Sequence, residues 1–164
     1  MIVVADSSPL ILLARIGQLP LLRSLYGTVD VPFAVYRETV LQDAGRPGAA
    51  EIGDADWIRV QKVTDLLAAR MLRQQIGPGE SEAIVLALEM QAALLLIDDA
   101  KGRRVAESYG ISAAGTIGIL IQAKRRGILH TVKPSLNAIR EAGLRMNEGL
   151  YNHALRICDE ESKD

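Results

Sequence analysis

Five short runs of apolar residues recur along the chain, at 2–5, 28–31, 57–61, 94–97 and 111–113. Most are nearly continuous, as in IVVA and LLLI, rather than alternating apolar with polar. A strand reads that way when both of its faces are buried, as in a parallel sheet covered by helices. Helical patterning fills the intervals at about 9–16, 19–25, 33–42, 48–54, 64–76, 80–92, 100–109 and 116–126, then again at about 135–142 and 148–160. This βαβα rhythm predicts an α/β domain of three layers, helix, sheet and helix, built on five parallel strands. The 164 residues suit one domain, and no linker divides them. The segment from about 134 to 160 is expected as a helical extension of it.

Local signals punctuate the pattern. Ser8-Pro9 predicts a helix N-cap followed by proline at the first helical position, where its missing N–H costs nothing. Pro32 opens the third helical stretch in the same way, and Gly77-Pro78-Gly79 breaks the chain before the helix that begins near Glu80. Composition then excludes several classes. Cys158 is the only cysteine, so an intrachain disulfide framework and a cysteine zinc site are ruled out, which fits a reducing, cytoplasmic setting. The net charge of −1 does not advertise strong electrostatic capture of long nucleic acid. No apolar run approaches the about 20 residues that span a bilayer, so no membrane partner is expected.

The acids fall at informative places. Asp6 directly follows the first apolar run and Asp98 the fourth. Open parallel sheets bind ligands beyond the carboxyl ends of their strands, so two aspartates placed alike can meet in one crevice. The ordinary alternative for each is a turn or N-cap aspartate. Asp99 fits that alternative better, being well placed to cap AKGRRVAES. Glu80 and Glu82 open GESEAIVLALEMQA, where a helix dipole alone favours acids. Positions i+3, i+4 and i+7 from Glu80 are Ala83, Ile84 and Ala87, a small apolar face; from Glu82 the stripe ends on Glu89. Glu80 is therefore expected as a ligand, and Glu82 as a supporting or surface acid. Glu38, in VPFAVYRETV, gains weight only from the company of the others. Asp6, Glu38, Glu80 and Asp98 make an all-oxygen set suited to Mg²⁺ or Mn²⁺ rather than zinc. His130 and His153 are isolated and expected to be structural or surface residues.

At these residues the chain resembles PIN-domain proteins, the ribonuclease fold of VapC-type toxins, and more narrowly a PIN-like subgroup of small prokaryotic proteins. The resemblance is carried by VVADSSPLILLARIGQLPLL, VDVPFAVYRETV, GPGESEAIVLALEMQAALLLIDDAKGRRVA and AAGTIGILIQAKRRGIL, in the family's order over most of residues 2–130. It implies a parallel sheet of order 3-2-1-4-5 and Mg²⁺- or Mn²⁺-dependent cleavage of RNA. It puts the family's four acidic positions on Asp6, Glu38, Glu80 and Asp98, with Asp6, Glu80 and Asp98 as metal ligands. It also implies frequent homodimers and a small antitoxin as a partner. Asp99, Ser8 and Thr116 belong to the site region on this reading, with Thr116 touching a phosphate or a bound water, or else capping its helix. Two departures stand out: glutamate replaces the aspartate common at the third acid, and the Asp98-Asp99 pair leaves the fourth ambiguous by one residue.

Other acidic α/β folds fit less well. A response-regulator receiver needs an acidic pair after its first strand, an aspartate after the third and a lysine after the fifth. Here Asp6-Ser7-Ser8, Lys62-Val63-Thr64 and Gly115-Thr116 stand in those places. A haloacid-dehalogenase-like phosphatase needs Asp-x-Asp, but Ser8 occupies the third position; GTIGIL does not supply a dinucleotide fingerprint. The alternative of another class is a PIN scaffold that binds RNA or a protein without cutting. Among basic residues, Arg37, Lys101, Arg103 and Arg104 flank the acids in sequence and are candidates to hold phosphates, Arg103 first among them.

Overall fold

The computed structural model describes residues 1–161. Its strands are β1 (Val3–Ala5), β2 (Val29–Pro32), β3 (Ile58–Gln61), β4 (Leu94–Leu96) and β5 (Ala113–Ala114). They form one sheet of order β3-β2-β1-β4-β5, parallel at every junction. The first half of the chain contributes α1 (Ser7–Arg15), α2 (Pro20–Tyr26), α3 (Phe33–Tyr36) and α4 (Ala49–Asp54). Beyond β3 come α5 (Leu66–Leu72), α6 (Pro78–Met90), α7 (Ala100–Ser108) and α8 (Thr116–Arg125), then α9 (Lys133–Glu141) and α10 (Glu148–Ile157).

Both faces of the central strands are buried, which explains their continuous apolar runs. Val3, Ala5 and Leu96 pack with residues of α1, α2, α8, α9 and α10, whereas Val4, Leu95 and Ile97 face α5, α6 and α7. Alternate side chains of each strand thus enter two separate cores, as the period of two requires. Leu136, Ile139, Tyr151, Ala154 and Leu155 of α9 and α10 lie inside the first core. The C-terminal helices therefore pack into the fold rather than projecting past it.

Boundaries differ from the sequence expectation where a backbone group or side chain has a better partner. Asp6, not Ser8, is the N-cap of α1, because the Ser8 hydroxyl is used elsewhere; Pro9 still lies in the first turn. Pro32 ends β2 and caps α3 instead of opening the helix. The stretch expected as one helix over 33–42 is α3 followed by a π-helical turn, Arg37–Leu41. Gln42 N–H reaches Arg37 O at 2.8 Å and the Thr39 hydroxyl takes Val35 O at 2.8 Å. The fifth strand starts two residues late, since Ile111 N–H still closes the end of α7 on Ala106 O. Among the described residues no helix is long and apolar enough to cross a membrane.

Candidate active site

The sheet order reverses between β1 and β4, and beyond their carboxyl ends lies a cavity of about 780 Å³. Asp6 directly follows β1, and its N–H extends the ladder to Leu96 O at 2.8 Å. Asp98 leaves the neighbouring strand end. The π-helical turn brings Glu38 to the same cavity, and the first turn of α6 brings Glu80. Residues far apart in sequence thus converge because four elements bring them to one edge of the sheet. Single-turn π segments recur at such functional places.

The four carboxylates are held differently. Asp6 is 3% exposed, and among the described residues its Oδ1 is the one buried side-chain nitrogen or oxygen without a hydrogen-bond partner. Burial pushes its pKa up to about 8; the charge of Glu80 adds to this, then Glu38 and Asp98, while the Ser7 N–H works the other way. Glu38 accepts from the Ser7 hydroxyl at 2.5 Å. Its carboxylate lies over Gly79, where a β-carbon would sit 2.7 Å from Oε2, so a side chain at that position would displace the carboxylate. Glu80 turns back over Gly77 towards its own N–H; burial raises its pKa, and Glu38 and Asp99 push the same way. Asp98 accepts from Ser8 Oγ at 2.9 Å and Thr116 Oγ1 at 2.7 Å on Oδ2, and from Thr116 N–H at 2.7 Å on Oδ1.

The supporting residues divide. Ser8, Asp99 and Arg103 line the cavity. Asp99 also caps α7, accepting Gly102 N–H at 2.7 Å. Thr116 is wholly buried and gives both its donors to Asp98, so it supports that carboxylate and keeps neither donor for a phosphate or a water. Glu82 is corrected. It is buried, not a surface acid, and accepts from Ala34 N–H at 3.3 Å and Arg73 at 3.0 Å. The stripe argument failed there because α6 is buried almost all round through Ala87. Arg37 stacks over Phe33, 5.0 Å from the ring centre, and Lys101 and Arg104 are exposed outside the cavity lining. His130 and His153 are exposed. Sequence reasoning missed Ser7, Arg15 and Arg145, all of which line the cavity. Adjacency to Asp6 was a signal for Ser7; nothing local marks the two arginines.

Among the described residues no three His, Cys, Asp or Glu side chains already converge as a finished metal cage. The donors present are nevertheless oxygens, the type that hard divalent cations take. Asp6 Oδ1 has no competing partner, and Asp98 Oδ1 keeps a lone pair beside the one Thr116 uses. A buried carboxylate crowded by others is stabilised in its charged form by a cation and by little else within reach. The residues therefore fit a divalent cation lodged against Asp6. A family model described as a PIN domain matches residues 2–160. A comparison with curated proteins finds no match.

Proposed function

The chain belongs to the PIN-domain family, a nuclease fold that is in general metal-dependent, and from that membership we propose an endoribonuclease that hydrolyses RNA phosphodiesters at the acidic cavity with Mg²⁺ or Mn²⁺. The observation that carries the reading is the buried, unpartnered Oδ1 of Asp6 at a cavity that Glu38, Glu80, Asp98 and Asp99 also line. Asp6 and Asp98 hold the cation from neighbouring strand ends, and Glu80 completes the set from α6. Bound there, the cation supplies Lewis-acid activation of water and of the phosphoryl oxygen. Ser8 and Thr116 lock Asp98, and Ser7 locks Glu38, so these carboxylates keep their orientation without substrate. Glu38 Oε1, left free by Ser7, accepts a hydrogen bond from the attacking water. Because the nucleophile is water and not the neighbouring 2′-hydroxyl, the products carry 5′-phosphate and 3′-hydroxyl ends. The VapC-type resemblance extends the proposal to a cytoplasmic toxin, a homodimer neutralised by a small antitoxin.

Incubation of end-labelled RNAs with Mn²⁺, beside Asp6→Asn and beside EDTA, tests the reading. Cleavage is expected with wild type and metal only, and should fall on the order of 10²–10³-fold in Asp6→Asn, the loss typical of removing one transition-state contact. Cutting that persists in EDTA or in the variant would overturn the mechanism. RNA binding without cutting, by a folded protein with metal bound, would instead favour a non-catalytic PIN scaffold.

A further inference from the structure

Three arginines from separate parts of the chain meet at the acid-floored cavity. Arg15 is the last residue of α1, Arg103 lies in the first turns of α7, and Arg145 stands in the connector between α9 and α10. Among the described residues none of the three makes an ion pair or donates a side-chain hydrogen bond. Among the described residues other buried acids do take an arginine, as Asp30 takes Arg59 and Glu82 takes Arg73. Arg103 even shares a neighbour with Asp98: a β-carbon on Gly115 would lie 2.9 Å from Asp98 Oδ1 and 3.1 Å from Arg103 Nη1. The acid nonetheless takes its hydrogen bonds from serine and threonine, so the guanidinium stays free.

The connector is built to present its arginine. Arg140 reaches Glu148 at 3.3 Å across its base and stacks on Tyr151, 4.4 Å from the ring centre. Asn147 caps α10 by accepting Leu150 N–H at 2.7 Å, and Leu144 N–H returns to Ile139 O at 3.0 Å. Leu144 and Met146 pack against the core, leaving Arg145 between them exposed and on the cavity wall. The apolar faces of α9 and α10 thus hold a loop in place whose charged residue takes no part in the packing.

We infer that Arg15, Arg103 and Arg145 form a phosphate clamp that lays the backbone of a single-stranded RNA across the acidic floor, with Arg145 giving the C-terminal helices their role in substrate binding. The inference rests on the ribonuclease reading and deepens it. Free guanidiniums around a carboxylate floor suit a ligand whose repeated anions need cationic partners on either side of the reacting one. Guanidiniums bind phosphates by two parallel hydrogen bonds, without reading bases. A cavity of about 780 Å³ takes a nucleotide or two of an extended strand and is too small for a paired duplex.

The test uses the full-length Asp6→Asn protein, which keeps RNA uncut, and a fluorescein-labelled single-stranded 12-nucleotide RNA followed by anisotropy from 50 to 200 mM KCl. Adding Arg145→Ala or Arg15→Ala should weaken binding about five- to tenfold, and each should shallow the salt slope by about 0.7, the share of one single-strand phosphate contact. Arg104→Ala, outside the cavity, should change neither by more than about twofold. In the wild-type background the same arginine variants should raise KM with kcat nearly unchanged, as loss of uniform binding does. If wild type cuts RNA and Asp6→Asn binds it, but Arg15→Ala and Arg145→Ala both match Asp6→Asn in affinity and slope, the clamp is wrong and the ribonuclease stands. Equal affinity for a duplex of the same sequence would also overturn the clamp. Failure of wild type to cut any RNA, together with failure of Asp6→Asn to bind any, would remove the ribonuclease reading and the clamp with it.

Discussion

Asp6 directly follows β1 and Asp30 lies on the neighbouring β2; they are 3% and 1% exposed and are treated in opposite ways. Asp30 stands directly opposite Arg59 in the β2–β3 register. It receives Arg59 Nε at 3.1 Å on one oxygen and Nη2 at 3.0 Å on the other, and Gln61 Nε2 at 3.0 Å. Asp6 is offered no cation and keeps a bare oxygen. Burial of a carboxylate is therefore not itself the mark of a site, because a paired buried acid is a structural part of the sheet. What separates the two is the missing counter-charge. A buried charge is tolerated only when something neutralises it, and the raised pKa of Asp6 favours a proton there.

Exchanging each aspartate for asparagine should act on different properties. The largest effect is on RNA cleavage, which is expected to fall on the order of 10²–10³-fold in Asp6→Asn. In Asp30→Asn it should stay within about twofold once corrected for folded protein. Equal losses, measured as initial rates in Mn²⁺, would erase the distinction. Stability comes next. Asp30→Asn breaks charge-assisted hydrogen bonds on a buried acid and should cost about 2 kcal/mol, or roughly 4–8 °C in Tm, by thermal or urea unfolding. Arg59 is half-exposed and can return to water, which keeps the loss from being larger.

The smallest effect sharpens the contrast through pH. The pKa of Asp6 is raised on folding, so the native state binds its proton more tightly than the unfolded chain. In metal-free protein the associated stability is fully present below the unfolded value of 3.8 and is lost as pH climbs to about 8. Asp6→Asn removes that loss, though its amide then lacks partners of its own. The variant should be more stable than wild type by about 1–2 kcal/mol at pH 8 in EDTA, with no advantage at pH 4. Melting curves at the two pH values check this, and an advantage independent of pH would refute the assignment. Millimolar Mn²⁺ should raise the wild-type Tm and shrink the advantage, since a ligand that binds only the native state stabilises it.

Much of this architecture can be read locally. Each strand lies within three residues of an apolar run, and for β1 and β4 burial on both faces of a parallel sheet leaves that run continuous. The acids after β1 and β4 could be placed for the same reason: a strand end is a local feature, and adjacency to it is visible in the chain. The resemblance supplied the sheet order and drew Glu38 into the group. Helical periodicity was a weaker guide to which acid of α6 faces what. It reads one stripe against solvent, and α6 has almost no solvent side over its first ten residues. Glu82, expected as a supporting or surface acid, is buried against Arg73.

The amino-acid sequence by itself determined the elements, their α/β class and the presence of oxygen donors at two strand ends, since those follow from the period of two, the period of 3.6 and the chain position of a charge. The tertiary structure alone decided which donors have partners. Whether a hydroxyl caps its helix or locks a distant carboxylate, as Ser8 does for Asp98, depends on which strand lies beside which. The packing of α9 and α10 likewise decides that Arg145 shares a cavity with Asp6. Charge pairing acts over a few ångströms in space at any separation in sequence, so only folding reveals that Asp30 is neutralised by its neighbour strand and Asp6 by no side chain.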